Sequence, residues 1–130
     1  MTKQCGCYQF VSTFRTWNNA AAFCISLQGG HLVSIHDDNT NNYLGSILAQ
    51  SWPSWIGLQR VGDKFEWIDG TPLNFTAWGK GQPDGSGNGV YINYNVVGTD
   101  GQWDDLHKSV QGPSICETDP IPTLSGKCQI

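Results

Sequence analysis

Nowhere in the 130 residues does an apolar run approach the roughly twenty residues that a membrane-spanning helix needs. No basic amphipathic helix is evident that could lie on a lipid surface. Basic residues are scarce: seven Lys and Arg stand against eleven Asp and Glu, a net charge of -4. The basic stripe on which nucleic-acid binding depends is therefore absent. The first residues, MTKQCGCYQF, are polar and lack the apolar centre of a signal peptide, so a secreted protein would be present here in its mature form. No Cys-x-x-Cys pair occurs, and no Cys/His spacing suits zinc. His31, His36 and His107 stand at no ligand spacing and are expected to be structural or solvated. No nucleophile has an evident base and orienting partner, so an enzyme is not expected.

What the chain does have in quantity is cysteine and tryptophan, five and six respectively. Cys5 and Cys7 lie too close to bridge each other without strain. Disulfides in an oxidising compartment are the natural reading, which implies a secreted, extracellular protein. An odd count leaves one thiol over, free or paired with another chain. The length suits one domain with a real core.

Taken in order, Cys7-Tyr-Gln-Phe-Val11 alternates as a short strand. Thr16 then caps a helix running through WNNAAAFCISLQ to Gly29-Gly30, with Trp17, Ala20, Ala21, Cys24 and Leu27 on one face. His31–Ile35 reads as a strand. Asp37 or Asp38 caps a second helix whose apolar face would be Leu44, Ile47 and Leu48. After Pro53 helical periodicity stops. Trp55-Ile-Gly-Leu58 starts a buried strand, Lys64–Ile68 alternates, and Asp69-Gly70 makes a turn. Val90–Val96 alternates, with Tyr91 and Ile92 on opposite faces, and Ser114–Glu117 is the last strand. Asn74-Phe75-Thr76 matches a glycosylation acceptor. Helices first and short strands after point to α+β.

The stretch with the most chemistry is Trp78–Asp105. It holds Gln82-Pro83-Asp84, a glycine-rich turn, the alternating run and then Trp103-Asp104-Asp105. Pro83 fixes its own φ and biases Gln82 towards an extended conformation, so the flanking side chains could be held fanned out. Two clusters of oxygen donors joined by a strand and a turn suit Ca²⁺, which takes about six to eight oxygen ligands.

Cys24, the stretch Gly29-Gly-His-Leu-Val-Ser-Ile35, Trp55-Ile-Gly-Leu58, Gln82-Pro83-Asp84, Trp103-Asp104-Asp105 and Ile115-Cys116-Glu117 occur in an order and spacing that resembles the C-type lectin domain. The resemblance covers roughly residues 7 to 117. It leaves 1–6 as an N-terminal segment and 118–130 as a Pro-rich C-terminal tail. It implies a double-loop fold with two helices and short antiparallel sheets, a Cys24–Cys116 disulfide, and one Ca²⁺ that two vicinal sugar hydroxyls would coordinate. Gln82, Asp84, Asp104 and Asp105, with Asn88, would ligate the ion. Gln82, Asp84, Asp104 and Asp105 would also hydrogen-bond the sugar, and Asp105 would add its backbone carbonyl to the metal. Cys128 is expected to pair with Cys5 or Cys7, leaving an N-terminal cysteine in a polar segment as a route to a homodimer.

Two departures from the family pattern stand out. The second disulfide is missing, its positions falling near Val90 and on Lys108. Asn88 replaces the usual glutamate and Asp104 the usual asparagine, so three carboxylates are retained. The implied function is Ca²⁺-dependent binding of terminal hexoses in cell-surface glycan or microbial recognition. Gln-Pro-Asp favours galactose or N-acetylgalactosamine over mannose-type sugars. The glycine-rich turn, however, lacks the ring that usually stacks on galactose, and Trp103 is expected to pack beneath the site. A module that binds protein or lipid surfaces without metal is the alternative.

Overall fold

The computed structural model describes residues 7–93 and 100–119. Strand β1 (Cys7–Arg15) leads into helix α1 (Trp17–Ile25), strand β2 (His31–Leu32) and helix α2 (Asp38–Asn42), which continues as a π-helical stretch, Tyr43–Leu48. Five strands follow: β3 (Ser54–Val61), β4 (Lys64–Trp67), β5 (Gly89–Ile92), β6 (Trp103–Leu106) and β7 (Gly112–Thr118). They build one sheet in the order β1-β7-β3-β5-β6, with β2 added to β7 and β4 to β3. Pairing is antiparallel except where β3 meets β7 in parallel, at Trp55 and Ser114. The architecture is α+β, as expected.

Helix α1 starts where the sequence places it. The Thr16 hydroxyl accepts from the Asn19 amide at 3.2 Å, which satisfies one of the donors a helix leaves unpaired at its N-terminus. Trp17, Ala20, Ala21 and Cys24 are buried, and Cys24 is bonded to Cys116 of β7, 92 residues along the chain. That bond fixes the helix on the sheet, and closing so long a loop stabilises by about 4–5 kcal/mol in the chain-entropy view.

The second helix departs from its expected form. Asp37 is the cap, accepting from the Thr40 amide at 2.7 Å. From Tyr43 the chain adopts i→i+5 bonding, which rotates later residues away from an α-helical register. Asn41, Leu44, Gly45 and Ala49 face inward, Leu48 is half-buried, and Ile47 is 63% exposed instead of forming part of the apolar face. Gly45 allows a close approach: a Cβ there would lie 2.8 Å from Asn93 Oδ1 and from Gly101 Cα.

Strands β3 and β5 divide the core. Ile56, Leu58, Val90 and Ile92 join Val33, Ile35, Leu44, Trp67, Trp103 and Ile115 on one side. Trp55 and Tyr91 face the other side, with Trp17, Cys24 and Leu32 from α1 and β2. The expected opposition of Tyr91 and Ile92 follows from the two-residue period of a strand. The β3–β4 hairpin turns at Gly62-Asp63, where Gly62 has φ +66°, a turn the sequence reading passed over.

Cys7 is a free thiol and is 1% exposed. The spare cysteine is thus not in a polar terminal segment if it is Cys7; it lies in β1 opposite Thr118. The expected pairing of Cys128 with Cys5 or Cys7 falls on Cys128, which lies outside the described residues. The histidines make local contacts: His36 meets Asn74 Oδ1 at 2.9 Å and Thr71 Oγ1 at 3.0 Å, and His107 meets Ser109 Oγ at 2.7 Å.

Candidate functional site

Strand β6 was legible in the sequence only as a cluster of oxygen donors; it is a strand because it pairs with β5. Ile92 sits opposite Trp103, Tyr91 opposite Asp104, and Val90 opposite Asp105. Trp103 anchors it. The side chain is fully buried, its Nε1 donates to Asn41 Oδ1 at 2.9 Å, and the rings of Trp67, Phe75 and Trp78 stand edge-on at 5.5, 5.9 and 5.8 Å. Trp103 therefore packs beneath the site.

Sequence reasoning missed the polar groups that hold this anchor. Asn41 Nδ2 donates to Gly101 O at 2.6 Å, and Asn93 Oδ1 accepts from the Gly101 amide at 2.8 Å. Asn93 Nδ2 donates to the carbonyls of Gly45 and Trp52, both at 3.0 Å. Both asparagines are buried, and buried amides must find partners. The available signal was Asn41 itself, a polar residue one helical turn before Leu44 on the inward face.

The loop bearing Gln82 and Asp84 is tied to the same strand. The Trp103 amide donates to Ala77 O at 2.8 Å, the Gly79 amide to Trp103 O at 2.8 Å, and the Gln82 amide to Gly79 O at 2.9 Å. The Gln82–Pro83 peptide is cis. Its far end folds onto Asp105: the amides of Asp84 and Gly85 donate to Asp105 Oδ1 and Oδ2 at 2.9 and 2.8 Å, and the Ser86 hydroxyl donates to the Asp105 carbonyl. Gly87 lets the turn settle against β6, since a Cβ there would lie 2.0 Å from the His107 amide nitrogen.

Asp84, Asp104 and Asp105 each present a carboxylate oxygen within 4.8 Å of the others. Asp105 and Asp104 are buried and Asp84 is exposed. Burial pushes the Asp104 carboxyl up to about 6; Asp105 and Asp84 push the same way, and the Tyr91 hydroxyl, donating to Asp104 Oδ2 at 3.0 Å, opposes them. Hydrogen bonds from the Ser86 side chain and amide hold Asp84 below its usual range. Asp104 Oδ1 and Gln82 Oε1 are buried oxygens with no hydrogen-bond partner. Converging carboxylates with unpartnered buried acceptors at both motifs form a donor set that fits a hard cation.

Two further expected ligands flank this group. Asn88 is exposed and its side chain makes no hydrogen bond; its carbonyl accepts from the Arg60 amide at 2.8 Å, which registers the start of β5 against β3. The Asp105 carbonyl, an expected metal ligand, is engaged by Ser86. Near the positions of the absent second disulfide, Val90 is fully buried in the core, a Cβ at its neighbour Gly89 would lie 3.3 Å from Lys108 Cγ, and Lys108 forms a non-covalent tie. Lys108 Nζ donates to Gln59 Oε1 at 2.7 Å and lies 4.2 Å from the Trp17 ring centroid, and its carbonyl accepts from the Trp17 amide at 3.0 Å.

The family model described as the lectin C-type domain matches residues 13–118. The chain belongs to the C-type lectin domain family. It is similar to "C-type lectin 1" of Hydrophis hardwickii, 30% identical over 92% of this chain and 77% of that one. Among solved structures it resembles a calcium-independent type II antifreeze protein (30% identity, TM-score 0.79, 93% and 92% of the two chains). It also resembles the C-type carbohydrate-recognition domain of cow CD23, solved in the presence of a GlcNAc2Man3 oligosaccharide (27% identity, TM-score 0.79, 94% of each chain). The fold is accordingly the C-type lectin fold, and the family is one of non-enzymatic binding modules. A Ca²⁺-dependent type II antifreeze protein, solved in its Ca²⁺-free form, is similar to this chain as well (28% identity, TM-score 0.79, 91% and 95% of the two chains), so structures similar to this chain differ in their use of calcium.

Proposed function

We propose that this protein is a secreted lectin that binds terminal hexoses through one Ca²⁺ held by Gln82, Asp84, Asp104 and Asp105, with Asn88 completing the set. The observation that carries this reading is the convergence of three carboxylates within 4.8 Å, together with the buried, unpartnered acceptors Gln82 Oε1 and Asp104 Oδ1 in the two motifs. No Lys or Arg among the described residues pairs with the three. When bound, Ca²⁺ would supply direct coordination of two vicinal hydroxyls and would neutralise the like charges. The chain's own part is orientation. Carboxylates accept from sugar hydroxyls, whereas the Gln82 amide can also donate to one, so the two sides of the site differ in what they recognise. On that ground we assign galactose-type ligands ahead of mannose, fucose or N-acetylglucosamine, in cell-surface glycan or microbial recognition. Affinity for the ion should fall at roughly 10⁻⁴–10⁻³ M, as in extracellular modules.

A metal-independent binding module is the second reading. Asp105 favours it, because its carboxylate and carbonyl already accept from Asp84, Gly85 and Ser86. Calorimetry with Ca²⁺, followed by a glycan array in Ca²⁺ and in chelator, separates the two. Sugar binding that persists unchanged in excess chelator overturns the metal-bridged reading. Stronger inhibition by free mannose than by free galactose overturns only the choice of sugar.

A further inference from the structure

The carboxylate cluster has an apolar neighbour. A pocket of about 270 Å³ is walled by Phe14, Trp52, Pro53, Tyr91, Leu106 and Val110. Two of these residues belong to the strands of the site. Tyr91 pairs with Asp104 across β5 and β6 and donates its hydroxyl to that carboxylate, so one phenol ring stands between pocket and cluster. Leu106 directly follows Asp105. Hexose coordination uses none of this surface.

The walls specify what could enter. Ser54 lines the pocket, but its hydroxyl donates to Trp52 O at 2.9 Å, and the Tyr91 hydroxyl is engaged by Asp104. Trp55 Nε1 donates to Arg15 O at 3.1 Å, which leaves Gln111 and the indole N–H of exposed Trp52 as the lining side-chain polar groups with hydrogen bonds to offer, too few for a hexose. A sugar, with a hydroxyl on nearly every carbon, would lose hydrogen bonds to water here without replacing them. An alkyl chain loses none and gains from leaving water. Phe14, Trp52 and Val110 are 56, 55 and 42% exposed, so there is apolar area to cover. The concavity argues against a second copy of the chain, because a stable protein interface needs about 800 Å² of complementary surface on each partner. A flexible chain can fill a pocket of this size by itself.

We propose that this pocket takes the alkyl chain of a glycolipid whose sugar is held at the carboxylate cluster. The proposal rests on the sugar-binding reading above and narrows its ligand class to hexosides with an apolar aglycone. Sharing Tyr91 between the two places means that head group and chain are bound as one ligand, each raising the effective concentration of the other.

The test is calorimetry on the full chain in Ca²⁺, with methyl β-galactoside and octyl β-galactoside below its micelle concentration, repeated with the mannoside pair. Burial of two or three methylenes should make the octyl glycoside at least about tenfold tighter. Trp52→Ala and Val110→Asp, both at exposed positions, should abolish that gain and leave the methyl glycoside unchanged. Equal affinity for methyl and octyl glycosides overturns the pocket proposal and leaves the sugar reading intact. Octyl binding that survives chelator, with no methyl glycoside binding, overturns the sugar reading and with it the bound-as-one arrangement. A wild-type dimer in solution that Trp52→Ala converts to monomer also overturns the proposal, since a second copy would then be the occupant.

Discussion

The Asp84 amide donates to Asp105 Oδ1 at 2.9 Å, joining the two halves of the site across 21 residues of chain. The two aspartates do different work. Asp105 is buried and organises the loop, while Asp84 is exposed and accepts only from its neighbour Ser86. Asp105→Ala should therefore abolish the Ca²⁺ response and also cost about 2–3 kcal/mol in denaturant melts run in chelator, the usual loss for hydrogen bonds to a charged group. Asp84→Ala should abolish Ca²⁺-dependent sugar binding with little change in the melt in chelator. Equal destabilisation by both would contradict this division.

The raised Asp104 pKa sets the pH dependence. In the fold it titrates at about 6, above the ordinary aspartate value of 3.8. Between those values the native state binds more protons than the unfolded one, so stability in chelator should rise as pH falls through 6 and level off near 4. Half-buried Glu117 is shifted in the same direction, and Asp104→Asn isolates the share due to the site. In Ca²⁺ the sign reverses, because protons compete with the ion for the carboxylates. Melting temperatures at pH 7.5 and 5.5, with and without Ca²⁺, check both signs.

Gly87→Ala should lift the glycine-rich turn from β6. The added methyl cannot fit 2.0 Å from the His107 amide nitrogen, and the obstacle is backbone. Overpacking of this kind costs about 1–3 kcal/mol, which at this place should appear mainly as weakened Ca²⁺ binding. A near-ultraviolet spectrum unchanged from wild type would show that the core has stayed in place.

For the cysteines, Cys24→Ser with Cys116→Ser should lose about 4–5 kcal/mol of stability. Cys7 should resist alkylation until the protein unfolds, given its 1% exposure. A dimer on non-reducing gels that survives Cys7→Ser would be traced to Cys5 or Cys128.

Legibility in the sequence followed the range of the interactions. The helix at Trp17 could be read because its cap and apolar face lie within a few residues of one another. Gln82-Pro83-Asp84 and Trp103-Asp104-Asp105 could be read as oxygen donors, and Asp84, Asp104 and Asp105 do converge. Their meeting depends on long-range pairs that no local pattern announces: Trp103 with Asn41, Gly101 with Asn93, and Gly87 against the β6 backbone. Ile47 was misplaced for a similar reason. Gly45 brings the chain close to Gly101, and the π-helical turns around it give up the 3.6-residue period. The strand at Trp103–Leu106 escaped because two adjacent aspartates, both buried, break the alternation by which strands are recognised.

Lys108 occupies the place of a cross-link, and that changes what the site-bearing hairpin responds to. A second disulfide would have made it answer to reductants. An ammonium packed on an indole and bonded to Gln59 answers to chemistry at nitrogen. Burial already lowers the Lys108 pKa, which raises the share of free amine open to acylation. Acetylation would remove both the charge and the cation–π contact, leaving the bond from the Trp17 amide to the Lys108 carbonyl as the remaining tie to α1 at this place, while Cys24–Cys116 stayed closed. In this chain the tie between helix and ligand site is therefore sensitive to lysine modification and indifferent to redox potential.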